Sequence, residues 1–202
     1  MKSLLIVSAL FFALALCNAQ DSENLARVRQ VNFDQGGKGN IVFMTQIGQG
    51  NQIEISQKGE GNVVVASQIG DNNTFKSEQI GNRNRIRHNS YYNDNVVNIL
   101  QAGDLNLVEN EDLYGSGKLT VTQNGNKNGV MNKSFGNNVN VNVMQLGSGN
   151  EVTGSFYGTD RSGGTASVVQ NSNNNKLDFK KYNNKDIQIS QRNGASAAVI
   201  QY

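Results

Sequence analysis

Over most of its length the chain repeats one short arrangement of polar and apolar positions, in which an amide, an alternating apolar stretch and a second amide are followed by a glycine-centred turn. The segment Gln46 to Gln57, QIGQGNQIEISQ, shows the unit as Q-x-G-x-x-N, an apolar residue two places on, and a closing Gln. Side chains on a strand alternate between faces, so the Asn, the residues two and four beyond it, and the closing Gln point the same way. That face carries Asn51, Ile53, Ile55 and Gln57 in one unit, Asn62, Val64, Ala66 and Gln68 in the next, then Asn73, Phe75, Ser77 and Gln79. Later units place Val97 and Ile99, Leu119 and Val121, and Val139, Val141 and Val143 in the same positions. The opposite face is mixed and charged, with Glu54, Lys76, Glu78, Arg83, Arg85 and Arg87 on it, as a solvated surface requires.

The spacing is regular. Glutamines stand eleven residues apart at Gln35, Gln46, Gln57, Gln68 and Gln79 and continue at Gln101, Gln123 and Gln145; asparagines follow five residues behind, and glycines two behind. The turn glycines are Gly48, Gly59, Gly70, Gly81, Gly103, Gly125 and Gly147, where positive φ and close backbone approach suit glycine. From residue 79 onward the closing slot alternates, Gln101, Gln123 and Gln145 being interleaved with Ser90, Asp112 and Ser134. Two unequal strands and two turns therefore make one coil of 22 residues.

The pattern predicts an all-β chain, a β-solenoid of about eight stacked two-strand coils, with an eleven-residue half-repeat and a rod roughly 35 to 40 Å long at the usual strand spacing. Residues 35–202 form the solenoid and residues 20–34 a separate N-terminal segment. Between Phe156 and Gln170 the step is fourteen residues, and Gly158 to Gly164 is expected to hold the extra length as a surface loop. The last strand is expected to turn Ser196, Ala198, Ile200 and Tyr202 inward, with no capping segment after it.

Composition narrows the reading. Proline and tryptophan are absent and Asn and Gln are abundant, which fits cross-β order with amide ladders once the spacing is regular. The formal net charge of +2 gives no reason to invoke nucleic acid. Residues 1–19 have Lys2, an apolar run from Leu4 to Leu16 and a small residue at Ala19; they read as a signal peptide, too short in its apolar part to span a membrane. Cleavage after Ala19 removes the single cysteine, Cys17, and leaves no disulfide; the competing reading makes Cys17 a lipidated N-terminus.

On the Q-x-G-x-x-N repeat the chain resembles the curlin family, the subunits of curli-type functional amyloid fibres. The resemblance implies a secreted structural subunit that self-assembles head-to-tail into extracellular fibres for biofilm matrix and adhesion. It also implies a nucleating minor subunit and an outer-membrane export pore as partners, and no cofactor. Carried over by position, the ladder residues are Gln46, Asn51, Gln57, Asn62, Gln68, Asn73, Gln79, Asn84, Gln101, Asn106, Gln123, Asn128, Gln145 and Asn150. Strand openers are nearly all Asn here, where curlin alternates Ser and Asn, and residues 20–34 differ from the family's export segment. These differences leave the export partner, and the choice between major subunit and minor nucleator, open.

The remaining candidates are weighed against plainer roles. His88 has no second His, no Cys and no carboxylate pair at matched spacing, so no catalytic or metal site is expected. Arg83, Arg85 and Arg87 are candidate surface contacts for an anionic partner, or simply a solvated stripe that discourages wrong edge pairing. Asp71, Asp94, Asp104 and Asp112 are either charges that restrain aggregation or good turn residues. Two rival classes are weighed. One is a monomeric secreted β-solenoid binding module, whose ice-binding form would need a regular outward array that Val63, Val65, Lys76 and Arg85 do not make. The other is a β-helix enzyme acting on polysaccharide, for which no inward-supported cluster of carboxylates or basic residues on adjacent coils is found, so no enzyme is expected.

Overall fold

Alternation of buried and exposed positions runs through nearly every strand of the structure, a computed structural model that describes residues 25–31, 39–112, 116–134, 138–156, 164–182 and 185–202. In chain order the strands are β1 Leu25–Val31, β2 Ile41–Ile47, β3 Gln52–Lys58, β4 Val63–Ile69, β5 Thr74–Ile80, β6 Arg85–Ser90, β7 Val96–Ala102 and β8 Leu107–Asp112. The second half comprises β9 Gly117–Asn124, β10 Gly129–Ser134, β11 Val139–Leu146, β12 Glu151–Phe156, β13 Thr165–Asn171, β14 Lys176–Lys181, β15 Ile187–Arg192 and β16 Ser196–Gln201. Odd-numbered strands form one eight-stranded sheet and even-numbered strands another, both parallel and ordered as in the chain. The fold is the expected β-solenoid, its seven inter-strand steps spanning about 34 Å at the usual spacing.

Register follows the repeat. Ile53 pairs with Phe75, Phe75 with Val97, Val97 with Leu119 and Leu119 with Val141, each step being 22 residues. In the second sheet Val42, Val64, Ile86, Val108, Val130 and Val152 align likewise. These residues form one thin core between the sheets. A one-residue slip would turn every apolar side chain outward, which is why the alternation holds the register so firmly.

Two departures from the expected pattern appear. The strand β1 lies inside residues 20–34 yet pairs with β3, with Gln30 opposite Gln57. As expected, the register recovers after the long step between β11 and β13, where Gln145 stands opposite Gln170, 25 residues on; the rest of the expected loop, 158–163, lies outside the described residues, as do the signal peptide and Cys17.

The second is a correction. In β16 it is Ala197, Val199 and Gln201 that stand opposite the inward Leu177, Phe179 and Lys181, while Ser196, Ala198 and Ile200 face outward. The cause is the turn before it. Asn193 and Gly194 both take positive φ, at 59° and 70°, as a tight two-residue turn requires. This turn uses one residue fewer than the others, so Ala195 occupies the slot that Asn holds elsewhere, its N–H bonding Asn175 Oδ1 at 3.0 Å.

Candidate functional site: the axial ladders

All fourteen expected ladder residues are buried, none more than 1% exposed. They fall into four columns, one at each end of each sheet's strands, and the four are not equivalent.

The glutamine column of the first sheet is complete from Gln57 onward. Gln57 Nε2 donates to Gln79 Oε1 at 2.8 Å, and the chain of bonds runs on through Gln101, Gln123, Gln145 and Gln170 to Gln191 at 2.7 to 2.9 Å. The amide's other proton reaches across to the second sheet, where Gln123 Nε2 meets the Leu107 carbonyl at 3.0 Å and Gln170 Nε2 that of Glu151 at 2.9 Å. Each glutamine thus ties its rung to the next rung and to the opposite strand. Such a bond contributes about 1 kcal/mol net, and leaving its buried partner unmade costs more than that.

The asparagine column across the same edge is also continuous, through Asn40, Asn62, Asn84, Asn106, Asn128, Asn150 and Asn175, but it works on the backbone. Asn84 N–H donates to Asn62 Oδ1 at 3.0 Å, and Asn62 Nδ2 donates to the Gly81 carbonyl at 2.8 Å. The same pair of contacts recurs one rung on, from Asn106 N–H to Asn84 Oδ1 at 3.0 Å and from Asn84 Nδ2 to the Gly103 carbonyl at 2.7 Å. The asparagines therefore anchor the turn glycines. At Gly103, φ is +112° and a Cβ would run into the carbonyl oxygen of Gly125, so both conformation and contact exclude a side chain. All seven expected turn glycines share positive φ.

At the opposite edge the columns stop early. Asn51, Asn73 and Asn95 are linked, then Gly117 and Val139 take the slot. Gln46 Nε2 donates to Gln68 Oε1 at 3.3 Å, after which Ser90, Asp112, Ser134, Phe156 and Lys181 follow until Gln201. Gln68 Nε2 and Asn95 Oδ1 are left buried without a partner. Burial lowers the Lys181 ammonium from its ordinary value, an effect that nearby Asp186 partly offsets.

Sequence reasoning missed two columns. The residue one place after Gly70, Gly81 and Gly103 accepts a backbone N–H from the preceding rung: Glu60 N–H bonds Asn82 Oδ1 at 3.0 Å, Asn82 N–H bonds Asp104 Oδ1 at 2.7 Å, and Gln49 N–H bonds Asp71 Oδ1 at 2.7 Å. Asp71 and Asp104 are thus turn residues with a defined acceptor role, and the recurrence of Asn, Asp or Ser one place after the glycine was the available signal. Asp94 holds a left-handed turn position, at φ 60°.

The second column is interior. His88 is fully buried, stacked on Phe75 with ring centroids 4.9 Å apart, and its Nδ1 lies 3.0 Å from Asn110 Nδ2. Asn132 Nδ2 continues the line to Asn110 Oδ1 at 2.6 Å. An amide nitrogen can only donate, so Nδ1 is the acceptor and the proton sits on Nε2, which has no partner. Desolvation pushes the His88 pKa down to about 3.

Arg83 stands in a turn at φ 55° and not on the strand face, whereas Arg85 and Arg87 project outward from β6. Their neighbour on the next rung is not more basic charge, since Arg87 pairs in register with Glu109. Opposite charges also meet across rungs at Lys76 and Glu54 (3.4 Å), Lys133 and Glu111 (3.7 Å) and Lys176 and Glu151 (3.0 Å). Exposed pairs of this kind add little stability, but they favour correct neighbours over displaced ones. Among the described residues no group of three His, Cys, Asp or Glu side chains is placed to hold a metal ion, and no helix is long and apolar enough to cross a membrane.

The family model described as the curlin associated repeat matches residues 48–81, the stretch from turn glycine to turn glycine that carries β3, β4 and β5. Over this stretch the chain is similar to the curlin associated repeat. No curated protein and no solved structure matches it. The matched stretch is where all four amide columns are present together, Gln57, Gln68, Gln79, Asn51, Asn62 and Asn73 all lying inside it.

Proposed function

We propose that this curlin-repeat chain is a secreted structural subunit that stacks head-to-tail on copies of itself into extracellular amyloid fibres of the curli type, serving matrix and adhesion. The observation that carries this reading is the state of the sheet ends. Among the described residues β1 and β2 at one end, and β15 and β16 at the other, each pair with a strand on one side only. A parallel strand edge presents a row of unpaired N–H and C=O groups, and stacking another rung on it extends the backbone bonds and the ladders together. A head-to-tail contact that does not close repeats without limit.

Export by an outer-membrane pore and seeding by a minor subunit accompany this proposal, as does removal of residues 1–19. The test is to dilute the chain lacking residues 1–19 out of denaturant and follow thioflavin fluorescence and fibre diffraction. The expected result is a lag, then fibres with a ~4.8 Å meridional reflection that seed fresh monomer. A folded β-rich monomer that persists at high concentration would overturn the reading in favour of a binding module.

A further inference from the structure

Two glutamines at opposite ends of the second sheet are unaccounted for by the monomer. Gln201, in the last strand, occupies the closing slot that Ser90, Asp112, Ser134, Phe156 and Lys181 hold through the middle of the rod, and Gln46 occupies the same slot in the first. Gln46 Oε1 is buried without a partner, and so is Gln201 Oε1, which in the sense of the ladders would accept from the Lys181 rung inside the molecule and has no donor there. Glutamine thus stands in this column only at its two ends, as Gln46 and Gln68 at one and Gln201 at the other, where no ladder inside one molecule can link them.

The ladders also have a direction. In every glutamine pair described above, the lower-numbered residue gives its Nε2 proton to Oε1 of the higher-numbered one. Continued beyond β16, this sense sends Gln201 Nε2 out of the rod end; continued backwards from β2, it requires a donor arriving at Gln46 Oε1. We propose that these are the same bond, formed between molecules: Gln201 Nε2 of one copy donates to Gln46 Oε1 of the next, with β16 and β2 paired in parallel and their closing slots aligned. The inference rests on the head-to-tail reading and adds to it a register and a polarity.

The alignment is supported by what else it brings together. With Gln201 on Gln46, Val199 lies over Met44 in the core line and Ala198 over Phe43 on the outer face. Phe43 is 46% exposed and Ile200 57% exposed in the single chain, and a rung stacked in this register covers part of each. Two like ends cannot make the joint. Head against head would set the orphan acceptor of Gln46 against itself and would force antiparallel pairing on sheets built parallel.

Disulfide trapping tests the joint. On a closing-slot alignment the two Cα atoms stand about 4.8 Å apart, within disulfide range. In a Cys17→Ser background, Gln46→Cys and Gln201→Cys chains are mixed, assembled and oxidised. The expected product is the 46–201 heterodimer, with neither homodimer formed. Homodimers, or fibres with no 46–201 link, would overturn the joint and leave the filament reading standing, whereas failure of the parent chain to form fibres would remove both. Should cysteine at either slot block assembly, charge provides the second measurement. Chains carrying both Gln46→Glu and Gln201→Lys, whose every joint pairs opposite charges, are expected to extend their own seeds at least tenfold faster than chains carrying Gln46→Glu and Gln201→Glu, and equal rates would overturn the proposal.

Discussion

The ring of Phe179 fills the space above Gly154 on the neighbouring rung: a Cβ added at residue 154 would lie 2.7 Å from two of its ring carbons. Phe156, two places along, meets the same ring edge-on at a centroid distance of 4.9 Å. The thin core therefore accepts a large aromatic on one rung only because the next rung carries no side chain at that point, a knob in a hole along the rod axis. Interiors packed this closely do not absorb an extra methyl group without displacement.

Gly154→Ala is accordingly expected to destabilise the chain by about 1 to 3 kcal/mol. The smaller side chain of Phe179→Leu should recover part of that loss when the two changes are combined. A urea double-mutant cycle measures the coupling, and strictly additive effects would show that the two residues do not share the space.

The four amide columns predict unequal costs for similar changes. Gln123→Ala removes bonds to Gln101, Gln145 and the Leu107 carbonyl, and is expected to cost about 2 to 3 kcal/mol. Gln68→Leu removes one 3.3 Å bond and an amide nitrogen that already lacks a partner, so its cost should stay within about 1 kcal/mol. Equal losses in urea unfolding would mean the ladders contribute no more than filled volume.

Turn glycines divide in the same manner. Gly103→Ala meets both a positive φ and the carbonyl of the next rung, and should destabilise by at least about 2 kcal/mol. Gly129 opens β10 with nothing within 4 Å of an added Cβ and no positive φ, so Gly129→Ala should be close to neutral. Thermal midpoints of the two variants separate the roles directly.

Acidity should loosen the fold through His88. The folded chain holds this imidazole neutral down to about pH 3, while the unfolded chain takes up the proton near its ordinary value of 6.5. Stability is therefore full above pH 6.5 and declines as pH falls below it, by up to about 1.4 kcal/mol per pH unit. Between pH 6.5 and 5, where most carboxylates remain ionised, urea midpoints of the parent chain should fall, and those of His88→Leu should fall much less. Parallel slopes for the two chains would exclude His88 as the cause.

Much of this architecture is legible in the residues. Ile53, Phe75, Val97 and Leu119 recur at one spacing, and a period of two inside a period of eleven admits only strands joined by short turns. The inward set of β16 was not legible, because the Asn193–Gly194 turn is one residue shorter than its counterparts and shifts every later side chain to the other face. Nor was the placement of Arg83, which takes a left-handed turn position that its residue type does not announce. The line from His88 through Asn110 to Asn132 is spaced like the ladders but built from two residue types, and a search for one repeating residue passes over it.

By itself the sequence determined the period, the alternation and the positions of amides and glycines, because these are local properties that any strand and turn obey. Only the tertiary structure decided which amides meet. Folding the chain back every eleven residues sorts one series of glutamines into two columns on separate sheets, one unbroken and one interrupted, and residues in the same motif position then differ in whether a partner lies above them.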